Sequence, residues 1–275
     1  MLKLGVSYAE ERPLTAPLPL CGDLKEAALF AKSIGLDGIE IHGRECEFEG
    51  KRLEYIRQIC SKTGIRIAAL VTGRLYNQTH ISLAEPEAAR RKWVIEQVKK
   101  YIDSASSLKT DIIIGWLRGR ITADNPSELY FGLLRESLSE LDEYAGKKGV
   151  RILLEVINRY EVDCFLTAEE TLAFIQDNNL KNTYLHLDTF HMNIEETDLC
   201  RALRIASEKL GYVHVADNTR LYPGSGSLDF AKILSTLDEI GYSGFVTTEC
   251  FPVPDGRQAA EKAAAYLRGL MAGKQ

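Results

Sequence analysis

Four polar side chains stand at the ends of four successive apolar segments in the second half of the chain. They are Glu155 in LLEVI, Asp188 in TYLHLD, His214 in VHVAD and Glu249 in TTECF. Carboxylates in buried strands are costly unless they are paired or bound to a metal. Three carboxylates that met at one place would repel one another without a cation, and three carboxylate oxygens with one imidazole suit Mn²⁺, Mg²⁺ or Co²⁺.

These residues belong to a pattern of short apolar runs that alternate with helical segments. Eight runs are predicted to be strands, at residues 2–8, 38–43, 66–73, 111–117, 151–157, 183–188, 212–217 and 244–251. Continuous apolar runs are typical of parallel strands that are covered on both faces. The pattern predicts an α/β fold, a (β/α)8 TIM barrel, as a single domain over residues 1–275. The alternative is a doubly wound open sheet, but no G-x-G-x-x-G follows the first strand.

The barrel prediction brings the four side chains together. Active sites of such barrels lie at the C-terminal ends of the strands. The separations of the four residues along the chain are 33 (155 to 188), 26 (188 to 214) and 35 (214 to 249), about one strand–helix unit each. Four neighbouring strands therefore present one ligand each at the same end of the barrel.

Composition excludes several classes of function. The net charge is −5 and the pI is about 5.7, so no nucleic-acid or anionic-membrane partner is expected. The first residues, MLKLGVSYAEERP, do not resemble a signal peptide, and no run reaches the roughly 18 apolar residues of a membrane helix. Six scattered cysteines without a C-x-x-C pair predict reduced thiols, no structural zinc site and a cytoplasmic location.

Several segments resemble the D-tagatose 3-epimerase group of the xylose isomerase-like sugar isomerases and epimerases. They are LEVINRYE (154–161), LDTFHMNIEE (187–196), HVADNTRLYPGSGSLDF (214–230) and TTECF (247–251). The resemblance implies a metal site, with Mn²⁺ most expected, and a homo-oligomer, either a dimer or a tetramer. The implied metal ligands are Glu155, Asp188, His214 and Glu249. The implied acid/base pair is Glu155 and Glu249, and the residues implied to hold the first two oxygens of a ketose are Glu161, His191 and Arg220.

The chemistry of epimerisation explains these residue types. Inverting the carbon beside a ketone requires removal of a proton from one face and return of a proton to the other, and two opposed carboxylates can do this. A cation on the ketone oxygen and its neighbouring hydroxyl stabilises the enediolate. His191 and Arg220 can donate to the developing oxyanion. The alternative for His191 is to cap the following turn, MNIEE.

Two arginines after the fourth strand bear on the substrate. Arg118 and Arg120, in GWLRGR, are predicted to clamp a carboxylate or phosphate of the substrate; the alternative is a solvated loop. Ser7 stands where epimerases of neutral ketoses tend to have an aromatic residue, and Ser227 where relatives often have histidine. These departures favour a keto-sugar acid, such as 5-keto-L-gluconate or D-tagaturonate, over a tagatose-like or psicose-like ketose.

Three further residues have less specific patterns. His186 shares the strand face of Asp188 one layer deeper, so we expect a satisfied core histidine; the alternative is a group that orients a metal ligand. His42 ends the second strand and is a candidate for the pocket mouth. Trp116 is predicted either to wall the pocket or simply to pack.

Other functions use similar barrels. An aldose–ketose isomerase of the hydroxypyruvate isomerase type, or an inosose dehydratase, would need the same metal and the same deprotonation. A phosphodiesterase of the endonuclease IV type would need several metals and many histidines, whereas this chain has five histidines and an acidic balance. A non-catalytic sugar-binding barrel would not need two carboxylates facing each other across a metal.

Overall fold

Nine parallel strands form one closed sheet within residues 2–44 and 48–273, the part of the chain that the computed structural model describes. The sheet order is β2-β1-β3-β4-β5-β6-β7-β8-β9, and β1 also pairs with β9. The strands are β1 (Lys3–Ala9), β2 (Leu20–Cys21), β3 (Gly38–His42), β4 (Arg66–Val71), β5 (Ile112–Ile114), β6 (Ile152–Glu155), β7 (Thr183–Asp188), β8 (Leu210–Val215) and β9 (Phe245–Thr248). The predicted (β/α)8 barrel is confirmed, with β2 as a short addition at the edge of β1.

Helices surround the barrel and cover the outer face of the sheet. They are α1 (Leu24–Ser33), α2 (Gly50–Thr63), α3 (Gly73–Thr79), α4 (Ala88–Leu108), α5 (Ser127–Lys148), α6 (Ala168–Asp177), α7 (Thr189–Glu195), α8 (Leu199–Ala206), α9 (Phe230–Glu239) and α10 (Gly256–Ala272). Side-chain caps begin several of them: Asp23 accepts from the Glu26 amide at α1, and Thr167 accepts from the Glu170 amide at α6. No helix of the described residues is both long and apolar enough to cross a membrane.

The eight predicted strands differ from the observed ones mainly at their ends. The run at 111–117 gives the three-residue strand β5, because Gly115 leaves the extended conformation and a short 3₁₀ turn, Trp116–Arg118, follows. The two-residue strand β2 was not predicted. Within the described part of the chain it pairs only with the end of β1, through Tyr8 opposite Leu20 and Ala9 opposite Cys21, and so short a strand has no pattern of its own.

The pleat of the strands arranges the barrel interior in layers. Side chains at alternate positions point to the same face of a strand. Leu153 and Tyr212 belong to a small buried apolar cluster with Ile113. Glu155 and His214 stand two residues further along the same strands, so they occupy the next layer toward the C-terminal ends. The polar site therefore rests on an apolar floor.

The described cysteines are free thiols. Cys21 is exposed, Cys60 is half-buried, and Cys164, Cys200 and Cys250 are buried. Cys46 lies outside the described residues.

Candidate active site: a buried carboxylate–imidazole centre

One cavity opens at the C-terminal ends of the strands, where the barrel prediction places the active site. Its volume is about 560 Å³, within the range of small-molecule sites. Glu155, His214 and Glu249 lie at its inner end. The residues that line its wall include Glu161, His191, Arg220, Trp116, Phe190 and Phe251.

The four predicted metal ligands converge at the inner end of this cavity. One ligand atom from each of Glu155, Asp188, His214 and Glu249 lies within 4.8 Å of the others, and all four side chains are buried. His214 Nδ1 lies 3.3 Å from Glu249 Oε2, 3.7 Å from Asp188 Oδ2 and 3.9 Å from Glu155 Oε1. The imidazole nitrogen thus faces all three carboxylates.

Strand register and one glycine create this convergence. Asp188 lies beside His214 in the pairing of β7 with β8, and Glu155 lies beside His186 in the pairing of β6 with β7. Gly115, at the end of β5, leaves room for the Glu155 carboxylate, because a Cβ at residue 115 would collide with Glu155 Oε2. Any side chain at residue 115 would displace a predicted ligand.

The chemistry of this donor set matches a divalent cation. His214 Nδ1 is buried and has no hydrogen-bond partner among the described residues. A buried polar atom without a partner is rare and needs an explanation. His214 Nε2 lies 2.7 Å from Glu40 Oε2. An imidazole held by a carboxylate at one nitrogen, with the other facing three carboxylates, is the usual arrangement of a histidine that binds a metal.

Glu40 contacts this centre and is a residue that the sequence reasoning missed. It is fully buried in β3, and its Oε1 accepts from Ser7 Oγ at 2.8 Å and lies 2.8 Å from His42 Nε2. Burial alone would raise the pKa of Glu40, but His214 and His42 outweigh it and hold the pKa well below its usual range. The available signal was a charged residue in the middle of the apolar strand GIEIH.

The two glutamates of the expected acid/base pair have different proton affinities. Burial, and then the charge of Glu249, raise the pKa of Glu155 to about 8. Burial also acts to raise the pKa of Glu249, but His214 and Arg220 outweigh it and lower the pKa below its usual range. Pairs of carboxyl groups whose surroundings separate their pKa values are typical of acid/base sites.

Arg220 reaches the same centre from the loop after β8. Its Nη1 donates to Asp188 Oδ2 at 2.5 Å, and its Nη2 donates to Glu249 Oε2. Burial would lower the pKa of Arg220, but the two carboxylates raise it.

The loop that carries Arg220 is organised by hydrogen bonds. The backbone of Arg220 has a φ of +61°, an uncommon conformation for a residue with a side chain. Asp217 is fully buried and accepts from the amides of Gly224 and Leu228, while the Phe251 amide donates to the Arg220 carbonyl. These bonds aim the guanidinium at the carboxylates.

His191 lies on the cavity wall and is held by Asn158, a second residue that the sequence reasoning missed. Asn158 Nδ2 lies 2.6 Å from His191 Nδ1 and donates to Glu161 Oε1 at 3.1 Å. Burial lowers the pKa of His191 to about 4, so the ring is neutral at pH 7. With Asn158 donating to Nδ1, the proton is on Nε2. Asp188, not His191, caps α7, by accepting from the Phe190 amide at 2.8 Å.

The structure does not bring Arg118 to the cavity, and it places Arg120 at an adjoining cavity of about 330 Å³ that shares Trp116 and Glu161 with the first one. Arg118 is fully buried, and its guanidinium donates to the carbonyls of Gly115, Cys164 and Glu155. Arg120 forms a two-point ion pair with Asp163, at 3.1 and 3.2 Å. The expected clamp is therefore corrected for Arg118, which is engaged inside the wall of the barrel. Arg120 lies on the rim, and its contact with substrate stays a prediction.

The remaining sequence candidates divide between the cavity and the core. Trp116 and His42 line the cavity, and His42 Nε2 lies 3.5 Å from Glu249 Oε1. His186 lies one layer deeper than Asp188, as expected, and is fully buried. It is not satisfied as a core histidine, because neither ring nitrogen has a hydrogen-bond partner in the described chain.

Comparison with known proteins places the chain in a family. The family described as Xylose isomerase-like TIM barrel matches residues 28–270. A D-psicose 3-epimerase of Enterocloster bolteae is 39% identical over 249 residues, which cover 87% of this chain and 80% of that protein. An L-ribulose 3-epimerase of Methylomonas sp. (strain DH-1) is 44% identical over 115 residues, 42% of this chain, and the match spans only 40% of that protein.

A solved structure confirms the likeness in three dimensions. The crystal structure of 3-keto-D-glucoside 4-epimerase from E. coli superposes with a TM-score of 0.82 at 26% identity, over 98% of this chain and 100% of that one. Epimerases are isomerases, and all three proteins are named epimerases. The chain therefore belongs to the Xylose isomerase-like TIM barrel family, among relatives and structural neighbours that are sugar epimerases.

Proposed function

We propose that this chain is a metal-dependent epimerase that inverts the carbon beside the ketone of a ketose or keto-sugar acid. The observation that carries the proposal is the pair of buried glutamates, Glu155 and Glu249, which meet around His214 and Asp188 at the inner end of a sugar-sized cavity. The E. bolteae relative, named a D-psicose 3-epimerase, supports the reaction class.

Four residues would hold the cation: Glu155, Asp188, His214 and Glu249. Mn²⁺ is the ion we propose, with Co²⁺ and Mg²⁺ as alternatives, because carboxylate donors dominate the set. When bound, a divalent cation supplies positive charge that makes the proton beside a ketone more acidic and stabilises an enediolate. Glu40 keeps the His214 ring turned with Nδ1 toward the three carboxylates.

The two glutamates would carry the proton transfers. One carboxylate removes the proton from the carbon beside the ketone, and the other returns a proton to the opposite face. Both belong to one cavity and lie within reach of the same small molecule. Because a single carboxyl group cannot reach both faces of one carbon, inversion needs the pair.

Three residues would hold the substrate. We assign this task to Glu161, His191 and Arg220, which all line the cavity. The neutral His191 ring, with its proton on Nε2, can donate to a substrate oxygen, and Arg220 can donate to developing negative charge. Glu161 supplies an acceptor for a hydroxyl group.

One arginine in the cavity wall could bind the acidic group of a keto-sugar acid. If the substrate is a keto-sugar acid, its carboxylate would meet Arg12 instead of Arg118 or Arg120, because Arg12 lines the cavity. Arg12 Nε is buried and has no hydrogen-bond partner among the described residues. A guanidinium with an unpaired donor is well suited to a carboxylate.

The resemblance and the scattered cysteines lead to two further proposals about the working enzyme. We propose a homo-oligomer, either a dimer or a tetramer, and a cytoplasmic location, as the resemblance and the scattered thiols predict. Light scattering of the purified protein measures the first, and a single monomeric mass would contradict it.

Nuclear magnetic resonance in D₂O tests the reaction class. The Mn²⁺-loaded protein is incubated with ketoses and keto-hexuronates, and deuterium is expected at the carbon beside the ketone together with a new epimer. The variants Glu155→Gln and Glu249→Gln should each lose at least about 100-fold in rate, while Glu239→Gln, an exposed glutamate paired with Arg204, should react as the parent does. An aldose or a dehydrated product would instead identify an isomerase or a dehydratase at the same site.

A further inference from the structure

His186 is the unexplained residue beneath the site. Its side chain is fully buried, and neither ring nitrogen has a hydrogen-bond partner among residues 2–44 and 48–273. Burying a polar group without a partner is unfavourable. The ring packs edge-on against the Tyr212 ring, with ring centroids 5.2 Å apart, which satisfies neither nitrogen.

The geometry directs His186 toward the ligand cluster. His186 precedes Asp188 by two residues on β7, so both face the barrel interior, with His186 one layer deeper. His186 Nδ1 lies 3.8 Å from Glu155 Oε1, and the His186 ring stands perpendicular to the His214 ring with centroids 4.1 Å apart. One ligand atom from each of Glu155, His186 and His214 lies within 4.8 Å of the others.

We propose that the site contains a second coordination position, deeper in the barrel, formed by Glu155, His186 and His214. We call this the inner position, and the set of Glu155, Asp188, His214 and Glu249 the outer position. The inner position takes divalent ions that prefer imidazole, such as Cu²⁺, Ni²⁺ or Zn²⁺. The proposal rests on the proposed metal-dependent function, because both positions share Glu155 and His214.

The two donor sets prefer different ions. The outer position offers three carboxylates and one imidazole, a set that suits Mn²⁺ and Mg²⁺, whereas the inner position offers two imidazoles and one carboxylate, a set that suits Cu²⁺, Ni²⁺ and Zn²⁺. Because His214 Nδ1 and Glu155 serve both sets, the chain binds one ion at a time. An ion in the inner position also engages Glu155, so it inhibits the proposed reaction.

The observed spacing permits both positions. Ligand atoms about 2.0–2.1 Å from one ion stand roughly 3–3.5 Å apart. In the inner set Glu155 Oε1 lies 3.8 Å from His186 Nδ1 and 3.9 Å from His214 Nδ1, and the ligand atoms of the two histidines lie within 4.8 Å of each other. In the outer set His214 Nδ1 lies 3.3–3.9 Å from its three carboxylates. Each set therefore needs only a small approach of its side chains.

Counting the imidazoles bound to Cu²⁺ tests the inner position. The protein is loaded with one equivalent of Cu²⁺, and electron spin-echo modulation is recorded, which distinguishes one bound imidazole from two. We expect two in the parent protein and one in His186→Leu. Competition with a chromophoric chelator should show that His186→Leu weakens Cu²⁺ binding by at least about tenfold and leaves Mn²⁺ binding nearly unchanged.

Two further variants separate the effect of losing a ligand of the inner position from the effect of changing a neighbouring side chain. Tyr212→Phe removes a hydroxyl that bonds to Thr247 and keeps the ring that packs against His186. It changes the polar surroundings of His186 without removing a ligand, so both affinities should stay as in the parent protein. Asp188→Asn changes only the outer position. It should weaken Mn²⁺ binding and leave the two-imidazole Cu²⁺ signal in place.

The outcomes distinguish the two proposals. One bound imidazole in the parent protein, or equal Cu²⁺ affinity in His186→Leu, overturns the inner position alone, provided Mn²⁺ binds and Asp188→Asn weakens it. If neither Mn²⁺ nor Cu²⁺ binds the parent protein, the inner position and the metal-dependent function both fail. The parent spectrum decides the first question even if a variant does not fold.

Discussion

Two loops at the same end of the barrel each contain a buried arginine, and the two guanidiniums donate to different kinds of acceptor. Arg118, after β5, donates to three backbone carbonyls and lies over the Phe165 ring. Arg220, after β8, donates to the carboxylates of Asp188 and Glu249 and lines the cavity. The first arginine ties two barrel segments together, and the second brings charge to the site.

The charge of the groups that accept hydrogen bonds from an arginine, more than its burial, distinguishes an arginine that holds the fold from one that belongs to the candidate site. Both side chains are almost completely buried, with exposures of 0% and 4%. Carbonyl oxygens satisfy the donors of Arg118 but carry no net charge, so that guanidinium acts through geometry. The carboxylates around Arg220 are also predicted metal ligands, so that guanidinium shares its partners with the chemistry.

Replacing Arg220 should give the largest effect on activity. Arg220→Met removes the donor that faces the developing negative charge, and loss of one such donor typically lowers the rate by about 10²–10³-fold. Deuterium exchange into the ketose, measured by nuclear magnetic resonance, reports the rate. Arg204→Met removes an exposed arginine that pairs with Glu239 and serves as the control. A rate for Arg220→Met within threefold of the parent would contradict the assignment.

Replacing Arg118 should mainly affect stability. Arg118→Met removes this donor from the carbonyls of Cys164 and Glu155, while the Gly115 carbonyl keeps the Arg118 amide; each unsatisfied buried group costs about 1–3 kcal/mol. We expect the free energy of unfolding in urea to fall by about 3 kcal/mol or more. The rates with acidic and neutral ketoses should change by the same factor. A KM that rises for acidic substrates alone would instead support the prediction from the sequence that Arg118 binds an acidic group of the substrate.

Replacing Glu40 tests whether the hydrogen-bond partner also decides the role of a buried carboxylate that does not line the cavity. Glu40→Gln keeps the shape of the side chain but weakens its hold on His214, and losses of this kind typically reduce metal affinity by about 10–100-fold. Titration calorimetry with Mn²⁺ measures the change. Ser7→Ala removes one hydrogen bond to Glu40 and keeps the carboxylate, so its effect should be smaller. Unchanged affinity in Glu40→Gln would remove Glu40 from the metal site.

Replacing Arg120 should give the smallest effect. Its ion pair with Asp163 lies on the rim and is about half exposed on the arginine side, and such pairs contribute about 0–1 kcal/mol. Arg120→Ala should therefore shift the free energy of unfolding by less than about 1 kcal/mol. Asp163→Ala should shift it more, because Asp163 Oδ2 also accepts from the Ile121 amide at 3.0 Å. The reverse order in thermal unfolding would contradict this account.

The strands and the four converging side chains could be predicted because their signals are local. An apolar run marks a buried strand, and a polar residue at the end of such a run marks the face on which ligands meet. Glu155, Asp188, His214 and Glu249 each carry that signal within a few residues of sequence. The positions of loop side chains were harder to predict, because the sequence GWLRGR does not indicate whether Arg118 points toward the cavity or into the wall.

The residues that were missed act through partners far away in the chain. Glu40 and His214 are 174 residues apart, and closure of the barrel brings them to 2.7 Å. Asn158 and His191 are 33 residues apart and meet because β6 and β7 are neighbours. The charge inside GIEIH was visible in the sequence, but its partner was not.

The sequence by itself determined the eight strands of the barrel, their covered faces and the donor types at the ends of four of them, because apolar runs and chemical type are local properties. Only the tertiary structure decided which donors share an ion, which arginine enters the cavity and which histidine is left without a partner. Those outcomes depend on strand register and on the pairing of β1 with β9, which bring distant residues within a few ångströms. Register and closure arise from packing of the whole barrel, and no single segment of sequence encodes them.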